Sequence, residues 1–264
     1  MEKGDLVYVE YDIWIMPEDE DEEPVLFDTT DEGKAKDEDI FEEDRIYGTR
    51  PVVIGEGELL EGFDDALLDA ELEEEGSVEV PPEKGIGMRD PGKIELFSRR
   101  QLDRKGIDPV VGKEVEIDNR RGTIIQTTAG RVRVDFNHPL AGKTLKYDFK
   151  ITNKPEEENE LIKAVFEKNY GDADIDIEIE GDKLEIVLPE RCIYDQNWFV
   201  SKYRVVGELR KRLEDIKTIR FVEEYIEKEE EEIEEEELEE ELDEDIEEDI
   251  EEKLEEISEG LEEE

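Results

Sequence analysis

A chain of 264 residues is long enough for one large domain or for two to three small ones. Its formal charge of -51, from 85 acidic and 34 basic residues, argues against a nucleic-acid partner held through phosphates, because acidic stripes repel that backbone. A single cysteine, Cys192, leaves no intramolecular disulfide and nothing from which to build a thiolate zinc cluster. The N-terminus MEKGDLVYVEYD has acids where a secretory leader needs an apolar core, and no apolar run approaches ~18 residues. The expectation is a soluble, cytoplasmic protein with no membrane partner.

The charge is uneven: residues 229–264 carry 25 Asp or Glu and one Lys, a net of -24, which leaves -27 for residues 1–228. Such acidity suits a salt-rich interior or solubility through self-repulsion.

In chain order, VYVEYDIWI alternates Val7, Val9, Tyr11, Ile13 and Ile15 with other residues at the two-residue period of a strand. PEDEDEEP at 17–24 reads as solvated loop, and after VLFD a long acidic segment runs to Asp44. VVIG at 52–55 reads as a short buried strand. GELLEGFDDALLDA at 57–70 repeats Leu59, Leu60, Phe63, Leu67 and Leu68 at helical spacing, which predicts a helix lying on a sheet. A strand near Val78–Val80 ends at Pro81 and Pro82, since proline cannot donate to a ladder.

From residue 88 to 136 the segments KIELF, EVEID, GTIIQTT and RVRVDF, separated by Gly, Pro and Asn, predict a small β-rich unit. LKYDFKI at 145–151 is a long strand. Beyond the linker TNKPEEEN, a helix carrying Leu161, Ile162, Val165 and Phe166 ends at Gly171, and DIDIEIE and KLEIVL flank the two-residue hairpin loop Gly181-Asp182. Val200, Tyr203, Val206, Leu209 and Leu213 predict a helix over 196–214, with TIRFVEEYI at 218–226 as a third strand; residues 156–228 thus read as an α-β-β-α-β domain. In the tail the apolar residues recur every four positions on average, so their stripe winds around a helix instead of forming a coiled-coil seam. A solvated, partly helical tail is expected.

Carboxylates are too abundant for any pair to stand out as an acid and base couple. His138 and Cys192 are 54 positions apart, and Cys192 sits in an apolar RCIY context that suits packing. GEGELLEG lacks the lysine of a phosphate loop, and the acidic loops lack an EF-hand's spacing, so no metal and no cofactor is expected. What remains is an apolar constellation of Tyr11, Phe27, Leu59, Leu60, Phe63 and Tyr147 with Asp28 beside it, suited to a reaction that needs desolvation and no proton transfer.

VLFD at 25–28, VVIGEGELLEGFDDAL at 52–67, VPPEKGIG at 80–87 and NHPLAGKTLKYDF at 137–149 resemble the FKBP-type peptidyl-prolyl cis-trans isomerases, in particular the long archaeal form related to SlyD. The resemblance covers residues 1–152 well and residues 156–228 less specifically. It implies an α+β fold: an antiparallel half-barrel around one short helix, from residues 1–87 and 138–152; a β-rich chaperone domain inserted at 88–137; the C-terminal α-β-β-α-β domain at 156–228; and the acidic helical tail at 229–264. His138 and Pro139 then mark the return crossing from the insert, a hinge role.

By the same resemblance Phe63 is the pocket floor, Tyr11, Phe27, Leu59, Leu60 and Tyr147 are its walls, the Leu60 N–H meets a substrate carbonyl, and Asp28 is the pocket carboxylate. The family usually places a tyrosine donor where this chain has Gly85-Ile86-Gly87, so Ile86 implies weakened isomerase activity. Ile94, Leu96, Phe97 and Leu102 are the expected client-binding groups of the insert, and the partners implied are unfolded or nascent proline-containing polypeptides. Bacterial SlyD's nickel-binding tail has no counterpart here. Two other readings stand beside this one: a holdase whose isomerase site has decayed, and a C-terminal domain that forms a homodimer.

Overall fold

The computed structural model describes residues 1–17, 19, 22–43, 45–171 and 174–225; the acidic tail expected over 229–264 lies outside the described residues. The chain begins with β1 (Leu6–Ile15), β2 (Val25–Thr29), α1 (Glu32–Asp37), β3 (Arg50–Val53), α2 (Glu61–Asp69) and β4 (Glu75–Val80). Then come β5 (Ile94–Ser98), α3 (Arg99–Arg104), β6 (Glu114–Ile117), β7 (Arg120–Thr127), β8 (Arg131–Asp135) and β9 (Leu145–Asn153). The chain continues through α4 (Glu158–Tyr170), β10 (Asp176–Glu180), β11 (Lys183–Leu188), α5 (Glu190–Tyr194), α6 (Gln196–Arg212) and β12 (Thr218–Glu223). The class is α+β, with antiparallel pairing everywhere except between β11 and β12.

The first sheet has the order β2-β1-β9-β4, with β3 paired to the first half of β1. Its central strand β9 is the last of the five in sequence. Strand alternation puts Val9, Tyr11, Ile13 and Ile15 of β1 opposite Ile151, Phe149, Tyr147 and Leu145 of β9, and all of these side chains share one face. Against that face α2 lays Phe63 and Leu67, both buried, and the cluster closes with Val7, Ile54, Val80 and Leu140. Two glycines permit the close approach. A Cβ on Gly62 would stand 2.8 Å from Val80 Cγ1, so α2 rests almost on β4, and one on Gly76 would run into the Phe149 ring. The helix starts at Glu61, later than the sequence periodicity predicts: Leu60 is its extended N-cap, and Leu59 precedes it. The long acidic segment after VLFD, given no element in the sequence reading, contains α1, which Asp31 caps by accepting from Lys34 N–H at 3.0 Å.

The second sheet, β5-β8-β7-β6, is entirely local in sequence. Its core is Leu102, Val115, Ile117, Ile124, Val132 and Val134. Asp118 and Asn119, at φ 53° and 61°, turn β6 into β7 in the two-residue geometry whose twist matches the flanking strands. Two crossings, at residues 87–90 and 135–142, join this sheet to the first. Arg89 Nε donates to Asp135 Oδ2 at 2.7 Å, the Asn137 amide pairs with both the N–H and the carbonyl of Asp90 at 2.9 Å, and Gly142 N–H reaches Gly87 O at 2.8 Å. His138 lies in this hinge and closes its own turn, its Nδ1 accepting from Leu140 N–H at 3.2 Å.

The described chain divides into two compact units, and α4 and α6 belong with the two sheets above. They pack on each other through Phe166 and Trp198, 5.0 Å between ring centroids. Tyr8 Oη donates to Glu167 at 2.7 Å and Arg212 donates to Gly4 O at 2.9 Å, which fasten the pair to the first sheet. The buried stripe of α6 is Trp198, Ser201, Val205 and Leu209. Val200 and Tyr203, expected on that stripe, are 59% and 77% exposed; Trp198 offers more apolar surface and sets the helix's rotation. The second unit holds the sheet β10-β11-β12 and α5, with β12 closing the sheet parallel to β11. Gly181, at φ 60°, opens the β10–β11 hairpin, and Cys192 is buried. Among the described residues no helix is long and apolar enough to cross a membrane.

Candidate functional site

The expected pocket residues converge at one end of the first sheet. Phe63, only 3% exposed, stacks on Tyr147 at a centroid distance of 4.3 Å and meets Phe149 at 5.4 Å and Tyr11 at 6.3 Å edge to face, geometries that aromatic pairs prefer. Leu59 and Leu60 pack on the rim of this cluster, half-buried. Leu60 precedes the helix in an extended conformation, so its carbonyl accepts from Phe63 and Asp64 N–H while, among the described residues, its own N–H has no acceptor. Asp64, nearly buried, accepts from Gly55 N–H at 2.6 Å and so ties the 55–60 loop to α2.

Asp28 reaches the cluster because of a β-bulge. Asp12 pairs with Thr29 and Ile13 with Asp28, but Trp14 pairs with Leu26, so Phe27 is an extra residue on β2. A bulge reverses the alternation on one side of it. Asp28 therefore shares the inner face with Ile13, while Leu26 shares the outer face with Trp14. Tyr11 Oη donates to Asp28 Oδ2 at 3.3 Å, and Arg45 forms an ion pair with Asp28 Oδ1 and donates to Thr29 O at 2.9 Å. Burial pushes the Tyr147 phenol up to about 12, with the Tyr11 and Asp28 charges adding to it; burial and Asp28 also raise that of Tyr11, against the pull of Arg50 and Arg45. Both rings stay neutral at ordinary pH.

Two expected site residues stand apart from the buried cluster: the wall residue Phe27, 44% exposed on its bulge, and Ile86, at the position of the missing tyrosine donor, 37% exposed on the loop after Pro82–Lys84. Sequence reasoning missed Phe149 and Arg45. Phe149 follows Tyr147 at the strand period and was visible as part of the same face. Arg45 ends the acid-rich run DEDIFEED, and that position was the one signal available. A cleft of about 1180 Å³ adjoins the cluster: Tyr11, Phe149 and Arg45 line it together with charged residues such as Glu10, Asp12, Asp148 and Lys150. It contains neither Phe63 nor Tyr147, and its charged lining lacks the dry apolar character that distinguishes the aromatic cluster.

In the second sheet the four expected client-binding residues divide. Leu96 is 54% exposed on the edge strand β5, Ile94 and Phe97 are half-buried, and Phe97 packs against Phe136 at 6.1 Å. Leu102 is fully buried at the centre of the core, so it supports that sheet and offers nothing to a ligand. Spacing alone could not tell it from an exposed neighbour, because α3 has only six residues, too few for a face to declare itself.

Comparison with known proteins bears on both sheets. The family model described as FKBP26, IF domain, matches residues 99–140, and the model described as FKBP26_C-terminal matches residues 158–226. The short-type peptidyl-prolyl cis-trans isomerase of Methanocaldococcus jannaschii is 34% identical over 160 residues, 61% of this chain and 98% of that protein. The FKBP-type peptidyl-prolyl cis-trans isomerases SlyD of Helicobacter pylori and Treponema pallidum are 32% identical over 116 residues and 29% over 135. Those alignments cover 42% and 48% of this chain and 62% and 74% of the relatives.

Proposed function

The chain belongs to the FKBP-type peptidyl-prolyl cis-trans isomerases, and from that premise we propose that it accelerates rotation about X–Pro bonds in folding polypeptides at the Phe63 cluster. Amide resonance sets a barrier of roughly 18–20 kcal/mol and makes uncatalysed exchange slow. Twisting the bond removes that resonance and makes the amide less polar, so a dry pocket shaped to the twisted form lowers the barrier without any proton transfer. The proline ring rests on Phe63 between Tyr11, Leu59 and Tyr147, with Phe27 and Ile86 at the mouth. The unoccupied Leu60 N–H takes a substrate carbonyl. Asp28, held by Tyr11 and Arg45, presents a fixed carboxylate to the carbonyl carbon of the twisting amide.

The observation that carries this reading is the bulge at Phe27, which turns Asp28 towards an aromatic floor that would otherwise be plain core. We assign residues 1–87 and 138–152 to the isomerase domain, 88–137 to an insert that holds unfolded chains, 156–228 to a C-terminal domain able to pair with a second copy, and 229–264 to a solvated tail. Tethering raises the local concentration of client prolines near the pocket. The test is the cis-trans exchange rate of a short X–Pro peptide by NMR, with intact protein and with Phe63→Ala and Asp28→Ala, at low and high salt. Acceleration that the variants lose supports the pocket; folded protein that gives none at any salt refutes it.

A second reading, a holdase with weak isomerase activity, is favoured by Ile86, which supplies no hydrogen bond where relatives of this type place a tyrosine. One such bond is worth roughly 0.5–1.5 kcal/mol, or about 2- to 12-fold in rate. The two readings part on one measurement, since suppression of aggregation without peptide isomerisation leaves only the holdase.

A further inference from the structure

The acidity of this chain stops at its second sheet. Residues 88–137 hold eleven Lys or Arg against eight Asp or Glu, a formal charge of +3, which leaves -54 for the rest. Three of these cations are neutralised locally, Arg89 by Asp135, Lys105 by Asp118 and Arg120 by Glu95. The other eight form no ion pair among the described residues.

Their arrangement is specific. Val132 and Val134 turn into the core, so Arg131 and Arg133 between them stand exposed on the opposite face of β8. Across the ladder Arg133 pairs with Leu96 and Arg131 with Ser98, which places the exposed leucine of the edge strand beside two arginines. Arg99 and Arg100, both exposed, follow Ser98, and Arg99 N–H bonds Gly130 O at 3.1 Å next to Arg131. Residues two apart on a strand are about 6.5–7 Å apart on one face. An extended peptide has the same repeat, and guanidinium groups take carboxylates in paired hydrogen bonds.

We propose that this face of the insert is a docking surface for acidic unfolded segments, extended stretches in which Asp or Glu flank an apolar side chain. The leucine supplies contact, the arginines supply selectivity, and the rest of the chain repels acidic segments that miss this face. Nucleic acid fits less well: Glu114 and Glu116 occupy β6 at the far edge of the same sheet, and a continuous phosphate backbone meets them and the remaining charge of -54. The proposal rests on the reading that the insert holds client chains, and it names which ones.

The test uses the full chain and three fluorescent proline-free dodecapeptides with the same leucines, in which the other positions are Glu and Ser, Lys and Ser, or Ser alone. Anisotropy is read at low and at 1 M salt, with wild type and with Arg131→Glu/Arg133→Glu, two exposed substitutions that leave the core alone. The expected result is at least tenfold tighter binding of the Glu peptide than of the Lys peptide, shrinking at 1 M salt and inverted in the double variant. Equal binding of all three peptides overturns the charge selectivity and leaves the client-holding reading standing. Binding of none removes both. Displacement of the Glu peptide by a DNA duplex at lower concentration than by unlabelled Glu peptide overturns the choice of partner.

Discussion

Gly62→Ala tests whether the pocket floor sits where its helix puts it. The new Cβ would stand 2.8 and 3.0 Å from the two methyl carbons of Val80, against an optimum near 3.5–4.0 Å for carbon pairs. Val80 is fully buried on a strand bonded to β9, so it has no direction in which to yield, and α2 must lift. Overpacking of this kind costs about 1–3 kcal/mol. Replacing glycine within a helix returns up to ~1 kcal/mol, less in the first turn where residue 62 lies. The net expectation is a loss of roughly 1–2 kcal/mol, read as a fall of about 0.5–1 M in urea midpoint. Because Phe63 is the next residue, its 4.3 Å stack on Tyr147 opens with the helix, and peptide isomerisation falls alongside stability. Adding Val80→Ala makes room for the new methyl, so the double variant should be more stable than the sum of the single effects by at least 0.5 kcal/mol. A Gly62→Ala protein as stable and as active as wild type would show that α2 does not rest on β4 in this way and would refute the reasoning.

Arg45→Ala removes the cation that steadies Asp28, and kcat/KM for a short X–Pro peptide should drop about 10- to 150-fold, equivalent to roughly 1.5–3 kcal/mol for a bond to a charged group; an unchanged value would mean Asp28 needs no such support. At the hinge, burial works against the Asp135 carboxylate, but hydrogen bonds from Asn137 and the Arg89 guanidinium outweigh it and hold the group below its usual 3.8. A depressed carboxyl stabilises the fold above its unfolded value and loses that effect as pH falls through the folded one, so amide-exchange protection at Gly142 should decline below pH ~4 in wild type and be low and flat with pH in Asp135→Asn. Tyr147 has the opposite sign: its phenol, raised to about 12, contributes stability that is complete below pH 10 and fades as pH rises towards 12. Tyr147→Phe should flatten that alkaline loss in a thermal melt, and a loss of the same size in both proteins would assign it elsewhere.

What the sequence made legible was whatever repeats. Strands β1 and β9 declared themselves because the inner face demands an apolar residue at every second position, and the aromatic cluster was readable for the same reason. Gly171 and Gly181 marked a helix end and a hairpin, since positive φ at each favours glycine. What stayed hidden depends on partners distant in the chain. Nothing local says that α2 begins at Glu61 and not at Gly57, because the start is set by the 55–60 loop bonding to Asp64. The exposure of Val200 and Tyr203 follows from Trp198 meeting Phe166 of another helix. The bulge at Phe27 shows only once β1 and β2 are paired, and with it the reason that Asp28, among 85 acids, faces the pocket.

The central position of β9 has a consequence for synthesis. On a ribosome adding about 5–20 residues per second, the roughly 70 residues from the end of β4 to the end of β9 take about 4–15 s. Throughout that interval the apolar faces of β1 and β4 have emerged without the strand that lies between them. The sheet of β5 to β8 needs nothing beyond residue 135 to pair its strands, so it can form first. The first unfinished polypeptide presented to that sheet is this protein's own amino-terminal stretch, still waiting for its last strand.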